Sequence, residues 1–346
     1  MALPTFPKFS QLKTSRLALL CAGLGLSAAA FAAPTQYPLT IDNCGQQLKF
    51  AKAPTKAVTI GQGGTEAFYA LGLGDRLVGT SLWFNSVSPE YAEQNAKVER
   101  LADNDPSFEA VLGKRPELVA VQFEWMVGPQ GVVGTREQFH DVNIPTYILP
   151  SDCEGKDNLV GADGTRLEAF DIASVYKGVE QLAQIFDVQD RGEELVNSYQ
   201  ARVAAAQEKA RANGADQLSA VFWFSSADLE IDPYVAGRKG VSDYMLTVLG
   251  MRNVIESNEE WPSVGWETFA KANPDILIIA RMDRRRFPAD DHEKKLEFLK
   301  SDPVTRNMEA VKHNRIIIMD ADAMQASTRM VGGIELLAEE AAKIKR

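Results

Sequence analysis

Three consecutive arginines, Arg284, Arg285 and Arg286, are the most concentrated chemical group in an otherwise acidic chain. The 346 residues contain 37 Lys and Arg against 47 Asp and Glu, which gives a formal net charge of −10. Guanidinium groups form forked hydrogen bonds with carboxylates, catecholates and phosphates, so this run predicts contact with an anionic ligand. The alternative interpretation is a solvated loop, because acidic residues follow within a few positions.

The remaining reactive side chains give little support for catalysis or for direct metal binding. The three histidines, His140, His292 and His313, are scattered and show no metal-ligand spacing such as His-Glu-x-x-His. The chain also lacks the Gly-x-Ser-x-Gly motif of many hydrolases. Its acidic balance argues against nucleic acid as a partner, since phosphate binding requires a basic surface. We therefore expect no catalytic residues, no resident cofactor and no metal held directly by the protein.

A glycine-rich turn, Gly61-Gln62-Gly63-Gly64, follows an apolar segment and precedes Thr65 in a helical pattern. Backbone N–H groups at such a position can bind an anion. The turn lacks the Gly-Lys-Ser/Thr sequence of a nucleotide-binding P-loop, so a tight turn that lines a cleft is the favoured interpretation. Gly63 and Thr65 are accordingly candidate ligand-binding residues.

Short apolar segments alternate with helical patterns along most of the chain, which is typical of parallel sheets covered by helices on both faces. The predicted strands span residues 57–60, 77–80, 118–121, 145–149, 218–224, 275–279 and 315–319. A closing helix is predicted from near Met330. In open parallel sheets, ligands bind beyond the carboxyl ends of the strands. The sequence thus predicts an α/β fold with its ligand site at the strand ends.

Large aromatic residues follow several of these strands. Their rings would form flat apolar walls for a large, rigid and partly aromatic ligand, although ordinary packing beneath loops is the alternative. With the turn and the arginines, the candidate ligand-binding residues are Gly63, Thr65, Trp83, Phe84, Glu124, Trp125, Ser225, Trp261, Arg284, Arg285 and Arg286.

A helical segment separates the two sets of predicted strands. Apolar residues recur there at steps of three and four and so share one helix face: Ile172, Val175, Val179, Leu182 and Phe186. A second helix is predicted over 191–211. Helical linkage is stiffer than a Gly/Ser linker, so we expect little relative motion of the two halves.

A weak internal repeat relates the two halves. Phe108-Glu109 and Trp266-Glu267 are each followed, at the same spacing, by Pro, an acidic residue and an apolar strand. Any short αβ unit can have this shape, and Glu suits the first turn of a helix. The matched spacing in opposite halves nevertheless favours two homologous lobes.

The N-terminus has the features of a secretory signal peptide. Lys8, Lys13 and Arg16 precede an apolar stretch over 17–26 and a run of small residues. Cleavage is predicted after Ala32. Cys21 could instead indicate a lipoprotein, but the bulky Leu before it makes a lipid anchor the less favoured alternative.

Export leaves Cys44 and Cys153 as the cysteines of the predicted mature chain. Two cysteines in an oxidising compartment predict one disulfide, with two separate buried thiols as the alternative.

The order of these motifs resembles the substrate-binding proteins of ABC importers for metal chelates and corrinoids. The resemblance runs from Tyr37 to the end of the chain. It rests on Val58-Thr59-Ile60 leading to Thr65-Glu66, on the Ala-Leu-Gly-Leu-Gly-Asp sequence at 70–75, on both copies of the repeat and on the helix between them. The turn at 61–64 is richer in glycine than is usual in that family.

The resemblance implies two parallel-sheet lobes joined by a long rigid α-helix, with a ligand cleft between the lobes. It divides the chain into a signal peptide (1–32), an N-terminal lobe (33–162), an interlobe helix (163–190) and a C-terminal lobe (191–346). It also implies a periplasmic monomer that delivers an iron–siderophore or related metal chelate to the permease subunits. By the same resemblance, Glu109 and Glu267 would contact that permease.

Two alternatives stay open at the level of the sequence. A corrinoid or haem could be the ligand within the same class, although no obvious axial His supports haem. An exported enzyme that acts on a small anionic substrate is the alternative from a different functional class.

Overall fold

The computed structural model describes Met1, residues 33–160 and residues 164–344. The predicted signal peptide and Cys21 lie outside these described residues. Within the described part of the chain, no helix is long and apolar enough to cross a membrane.

Fourteen strands and eleven helices form the described chain. The strands are β1 (Leu39–Asn43), β2 (Gln46–Phe50), β3 (Ala57–Ile60), β4 (Leu77–Ser81), β5 (Arg100–Ala102), β6 (Leu118–Val121), β7 (Thr146–Ile148), β8 (Lys156–Asp157), β9 (Thr165–Arg166), β10 (Ser219–Ser225), β11 (Tyr234–Val235), β12 (Arg252–Asn253), β13 (Ile276–Arg281) and β14 (Ile316–Asp320). The helices are α1 (Gln62–Ala70), α2 (Ala92–Asn95), α3 (Phe108–Gly113), α4 (Arg136–Asp141), α5 (Ala173–Phe186), α6 (Gln189–Ala212), α7 (Val241–Val248), α8 (Trp266–Ala272), α9 (His292–Ser301), α10 (Glu309–Lys312) and α11 (Met330–Ala341).

Two five-stranded sheets confirm the predicted α/β fold. The first has the order β5-β4-β3-β6-β7, and all its strands are parallel. In the second, β12, β10, β13 and β14 are parallel, but the two-residue strand β11 runs antiparallel to β10. Side chains of the central strands alternate between an apolar core that both sheets share and a separate core behind each sheet.

The internal repeat corresponds to the same αβ unit in both sheets. Helix α3 leads into β6 beside β3, and α8 leads into β13 beside β10. The acidic residue of each copy accepts a hydrogen bond from the backbone near the start of the adjacent strand. Glu117 Oε2 accepts from Thr55 N at 2.6 Å, and Asp275 Oδ2 accepts from Ser219 N at 2.9 Å. The spacing seen in the sequence therefore reflects a repeated supersecondary unit.

The connection between the sheets consists of two helices. The predicted apolar face of α5 is buried, and Phe186 packs edge-on against Phe68 at 5.2 Å between ring centroids. The helix ends at Asp187, which has a left-handed φ of 58°, and the 24-residue α6 follows at once. The helix predicted from residue 163 begins only at Ala173, because Thr165–Arg166 form β9.

The predicted disulfide is present. Cys44, in the turn between β1 and β2, is bonded to Cys153 after β7, with 5.8 Å between the Cα atoms. Asn43 adds two hydrogen bonds to the same edge of the sheet, accepting from Ile148 N and donating to Ile148 O. The bond therefore fixes the N-terminal hairpin to β7 and to the loop that follows it.

The loop after β4 is hydrogen bonded to the loop after β13. Asn85 Nδ2 donates to Arg281 O at 2.8 Å, and Ser86 donates from its backbone N and from Oγ to Asp283 Oδ2, both at 2.7 Å. Asp283 N donates in return to Phe84 O at 2.9 Å. These bonds connect the two sheets at their carboxyl ends.

A buried charge cluster, Glu66, Asp322 and Arg329, also joins the halves. Arg329 Nε lies 3.0 Å from Glu66 Oε2, and Ser88 N donates to Glu66 Oε1 at 3.0 Å. Asp322 is fully buried, and among the described residues neither of its carboxylate oxygens has a hydrogen-bond partner. Burial and the nearby Glu66 raise the pKa of Asp322 to about 7, although Arg329 opposes the shift.

This elevated pKa predicts a pH-dependent stability. Between the ordinary value of 3.8 and about 7, folded Asp322 holds a proton that the unfolded chain has lost. The contribution of Asp322 to the free energy of unfolding therefore declines as pH rises through that window, by at most about 1.4 kcal/mol per pH unit. Above the window this contribution is constant. We expect Asp322→Asn to flatten the pH profile of the unfolding free energy, measured with urea between about pH 4.5 and 8.

The matched control is Asp75→Asn, at an exposed aspartate on the surface of the first half. Its profile should parallel that of the unsubstituted protein. Parallel profiles for Asp322→Asn and the unsubstituted protein would show that Asp322 is ionised in the fold.

Candidate functional site

A cavity of about 290 Å³ lies at the carboxyl ends of both sheets. Residues that follow β4 and β6 form one side of it, and residues that follow β10 and β13 form the other. The segment after β14 contributes Gln325 and Ala326. The cavity therefore occupies the position expected for a ligand of open parallel sheets, at the strand ends.

Five aromatic rings form a continuous arc around the cavity. Trp125 stacks on Phe123, with 5.9 Å between centroids and 24° between planes. Phe84 meets Phe123 at 6.4 Å and Phe224 at 6.1 Å, both edge to face. Phe224 packs on Trp261 at 4.7 Å. This aromatic arc carries one apolar surface across both halves, and Tyr234 and Phe287 extend the aromatic lining.

Four buried charges form a self-neutralised wall of the cavity. Arg166 Nε donates to Glu260 Oε2 at 2.8 Å, and Lys156 Nζ donates to Asp152 Oδ1 at 2.8 Å. Burial opposes ionisation of Glu260, but Arg166 and Lys156 together hold its carboxyl pKa below the ordinary value. Burial also disfavours the charge on Lys156, but Asp152 raises the ammonium pKa. Sequence reasoning missed all four residues.

Arg284 and Arg286 also line the cavity, and neither forms a direct ion pair with a described carboxylate. The Arg284 guanidinium lies 4.4 Å from the centroid of the Phe84 ring and donates to Asn104 Oδ1 at 3.0 Å. Its Nε is buried and has no hydrogen-bond partner among the described residues. Burial lowers the pKa of Arg284. The two guanidinium groups therefore lack a direct ion pair, although Asp290 and Asp105 also line the cavity and favour the charge on Arg284.

The middle arginine of the run, Arg285, faces elsewhere. Arg285 does not line the cavity, and its Nε lies 3.8 Å from Asp291 Oδ2. Asp290 connects the arginine loop to the end of β10, because its carboxylate accepts from Ser225 Oγ at 2.6 Å and from Arg286 N at 2.7 Å. Asp290 also lines the cavity. The sequence predicted its partners Ser225 and Arg286 as ligand-binding residues, but not Asp290.

The structure brings six of the predicted ligand-binding residues to the cavity, namely Phe84, Trp125, Ser225, Trp261, Arg284 and Arg286. Glu124 does not line it, because its carboxylate accepts from Asn158 Nδ2 at 2.6 Å. Trp83 does not line it either, and its buried ring lies beneath the guanidinium of Arg100 at 4.7 Å.

The glycine turn lies behind the cavity wall. Gly63 N donates to Gln122 Oε1 at 2.8 Å, and a Cβ on Gly63 would stand 2.4 Å from Ser327 Cβ. Thr65 Oγ1 is buried against Gly61 O at 2.9 Å and Thr80 Oγ1 at 2.8 Å. Position 63 therefore requires glycine, because the two halves approach closely there. The Gln122 side chain, which accepts from Gly63 N, lines the cavity.

Within Met1, 33–160 and 164–344, no group of three or more His, Cys, Asp or Glu side chains is arranged to hold a metal ion. His140 contacts Thr146, and His313 lies 3.1 Å from Glu309. The cavity instead combines aromatic faces with unpaired guanidinium groups and a wall of paired charges. Such a lining is suited to recognising the outer surface of an anionic, partly flat ligand.

Comparison with known proteins identifies the family. A family model described as "Periplasmic binding protein" matches residues 58–323. An uncharacterized ABC transporter substrate-binding lipoprotein of Bacillus subtilis (strain 168) is 27% identical over 305 residues, which are 88% of this chain and 85% of the relative. A vitamin B12-binding protein of Vibrio campbellii is 24% identical over 67% of this chain and 73% of its own length.

Among solved structures, the ABC-type Fe3+-hydroxamate transport system from Saccharomonospora viridis has a similar fold. Its TM-score is 0.71, its identity is 24%, and the alignment covers 88% of this chain and 99% of that chain. The family match spans nearly all of both sheets and all the cavity-lining residues except Gln325 and Ala326. The chain belongs to the periplasmic binding protein family, and so is a binding protein rather than an enzyme.

Proposed function

We propose that this chain is the substrate-binding component of an ABC importer and captures a metal chelate in the cavity between its two sheets. The observation that carries the proposal is the aromatic arc, which spans both halves and has the Arg284 guanidinium on its central ring, Phe84. The similar Bacillus subtilis protein, named as an ABC transporter substrate-binding lipoprotein, supports the transport role.

The lining suits a chelate whose metal is already coordinated by the chelate's own atoms. Aromatic rings bind flat or apolar faces through stacking and edge contacts. Arg284 and Arg286 would bind anionic groups such as the carboxylates, catecholates or phosphates of the ligand. Capture then requires no metal ligand from the protein and no chemical step, and the chelate leaves unchanged.

We propose a ferric siderophore or a related chelate as the ligand, with a corrinoid as the second candidate. Two similar proteins, one named for Fe3+-hydroxamate transport and one for vitamin B12 binding, support these two classes. The volume of about 290 Å³ is near the lower limit for small-molecule pockets. A larger ligand would therefore need the halves to separate slightly.

The proposed site of action is the periplasm. The predicted signal peptide, the Cys44–Cys153 disulfide and the relative named as a lipoprotein all support a location outside the cytoplasm. The mass of the exported protein distinguishes cleavage after Ala32 from a lipid anchor at Cys21.

A ligand titration tests the proposed function. Purified ligand-free protein is titrated with ferrichrome, a ferric tris-catecholate, cyanocobalamin and haemin, and binding is followed by tryptophan fluorescence and calorimetry. We expect one probe to saturate at one molecule per protein, to quench Trp125 and Trp261, and to be recovered chemically unchanged. Absence of saturable binding by every probe, or chemical conversion of a bound probe, would contradict the proposal.

Arg284 should determine the affinity for an anionic probe. A hydrogen bond to a charged group contributes about 1.5–3 kcal/mol, so Arg284→Gln should weaken binding roughly 10- to 100-fold. Salt screens such a contact, and the loss should be larger at about 20 mM than at about 300 mM salt. Arg285→Gln is the matched control, because Arg285 lies outside the cavity. Equal effects of both substitutions would exclude Arg284 as a ligand contact.

Glu109 and Glu267 are proposed to contact the permease. Each is the second residue of a repeat helix, α3 or α8, and each is exposed. Neither carboxylate has a hydrogen bond or an ion pair within the described chain, so both are available to a cationic partner. Two charges on halves joined by stiff helices have a fixed span, which favours simultaneous engagement.

The double variant Glu109→Gln with Glu267→Gln tests this contact. We expect probe affinity and melting temperature to stay unchanged while uptake through the importer falls. The control is the double variant Glu208→Gln with Glu297→Gln, which removes two exposed carboxylates elsewhere. Normal uptake by the folded Glu109 and Glu267 variant would rule out the docking role.

A further inference from the structure

Lys295 is a buried ammonium group that no described carboxylate pairs with. The side chain, in the first turn of α9, is fully buried. A cation in the first turn of a helix also opposes the helix dipole. Burial lowers the pKa of Lys295 to about 7, and Asp290 and Asp291 counteract the shift while Arg285 adds to it. A lysine in this position is costly, so a compensating interaction is expected.

That interaction is with two backbone carbonyls at the ends of neighbouring strands. Lys295 Nζ donates to Phe224 O of β10 and to Ala280 O of β13, the second at 3.0 Å. The parallel register of these strands ends one residue earlier, at Trp223 and Ile279. The ammonium therefore bridges the two strands at the first position beyond their pairing.

In the first sheet, a backbone hydrogen bond joins the two strands at the equivalent position. The register of β3 and β6 ends at Ile60 and Val121, and Gln122 N then donates to Ile60 O at 2.8 Å. A Cβ on Gly61 would stand 2.3 Å from the Gln122 Cβ, so these two chains are in direct contact. The second sheet has a phenylalanine where the first has this glycine, and its strand ends are bridged by Lys295 instead.

Phe224 and the residues that follow Phe224 and Ala280 form much of the cavity lining that the second half contributes. The Phe224 ring belongs to the aromatic arc and lines the cavity, and Ser225 follows it. On the other strand, Met282 and Arg284 line the cavity a few residues after Ala280. A change in the separation of the two strand ends would therefore move the rings and the guanidinium relative to each other.

We propose that Lys295 is a positioning residue for the ligand cavity, which holds the ends of β10 and β13 at the separation that presents Phe224 and Arg284 to the ligand. The proposal rests on the proposed function, since it assigns Lys295 to the same cavity. Lys295 itself does not line that cavity.

Lys295→Met tests the proposal, because methionine fills the space but cannot donate a hydrogen bond. The matched control is Lys294→Met, at the exposed neighbouring lysine. Amide hydrogen exchange of the ligand-free protein is compared by mass spectrometry, with affinity for whichever titration probe the unsubstituted protein binds. We expect exchange to accelerate at least tenfold in peptides around 224–226 and 280–284, with no change around 60–62 and 121–123, and affinity to fall at least tenfold.

A pH profile separates positioning from simple packing. A charged donor forms a stronger hydrogen bond than a neutral one, so the bridge should weaken as the ammonium loses its proton. We expect the affinity difference between the unsubstituted protein and Lys295→Met to be larger at pH 6 than at pH 8. A difference that is independent of pH would assign Lys295 to packing and overturn the proposal.

The remaining outcomes are also decisive. Faster exchange with unchanged affinity, or lower affinity with unchanged exchange, would overturn the proposal. If no probe binds the unsubstituted protein, the proposed ligand class fails, while the exchange data still decide whether Lys295 holds the strand ends. Should Lys295→Met not fold, Lys295→Gln keeps one donor and is expected to show smaller shifts in the same peptides.

Discussion

Both sheets direct the carboxyl ends of parallel strands toward a single cavity, and every feature of the site depends on that shared orientation. Parallel strands need helical crossovers, which cover the sheet faces and leave the strand ends for the connecting loops. The shared apolar core, which includes residues of both sheets and of α5 and α6, fixes the sheets relative to each other. The aromatic arc can therefore continue from Trp125 in one half to Trp261 in the other.

The distribution of charge around the cavity follows from what burial permits. Deeply buried charges are stable only when they are paired, as Arg166 is with Glu260 and Lys156 with Asp152. Arg284 is less completely enclosed and stacks on Phe84, so it can stay unpaired at a moderate cost. The result is a cavity lined by two buried ion pairs and by two arginines that lack a direct ion pair, with Asp105 and Asp290 near Arg284. The two guanidinium groups would orient a ligand that carries an anionic group.

Sequence patterns succeeded where the signal is local. Apolar runs predicted the central strands, because strands buried on both faces contain few polar residues. The matched spacing around Glu109 and Glu267 predicted a repeated unit, and the two cysteines beyond the predicted signal peptide predicted the disulfide. In contrast, the four paired charges gave no signal, since Lys156 and Arg166 lie in strands of two residues each and Arg166 meets Glu260 across 94 positions of sequence. Lys295 was hidden for a similar reason, because its partners are backbone carbonyls at two distant strand ends.

The sequence by itself determined the α/β class, seven of the fourteen strands and the strand-end position of the cavity, because hydrophobic periodicity is a property of neighbouring residues. Tertiary structure decided which strand-end residues face the cavity. Trp83 and Phe84 are adjacent in the chain, yet only Phe84 lines the cavity. The glycine turn contacts Gln122 of its own sheet, and it contacts Ser327 because the two halves approach closely at α1. Which residues face the cavity depends on how the two sheets pack against each other. The sequence pattern of a single segment does not contain that information.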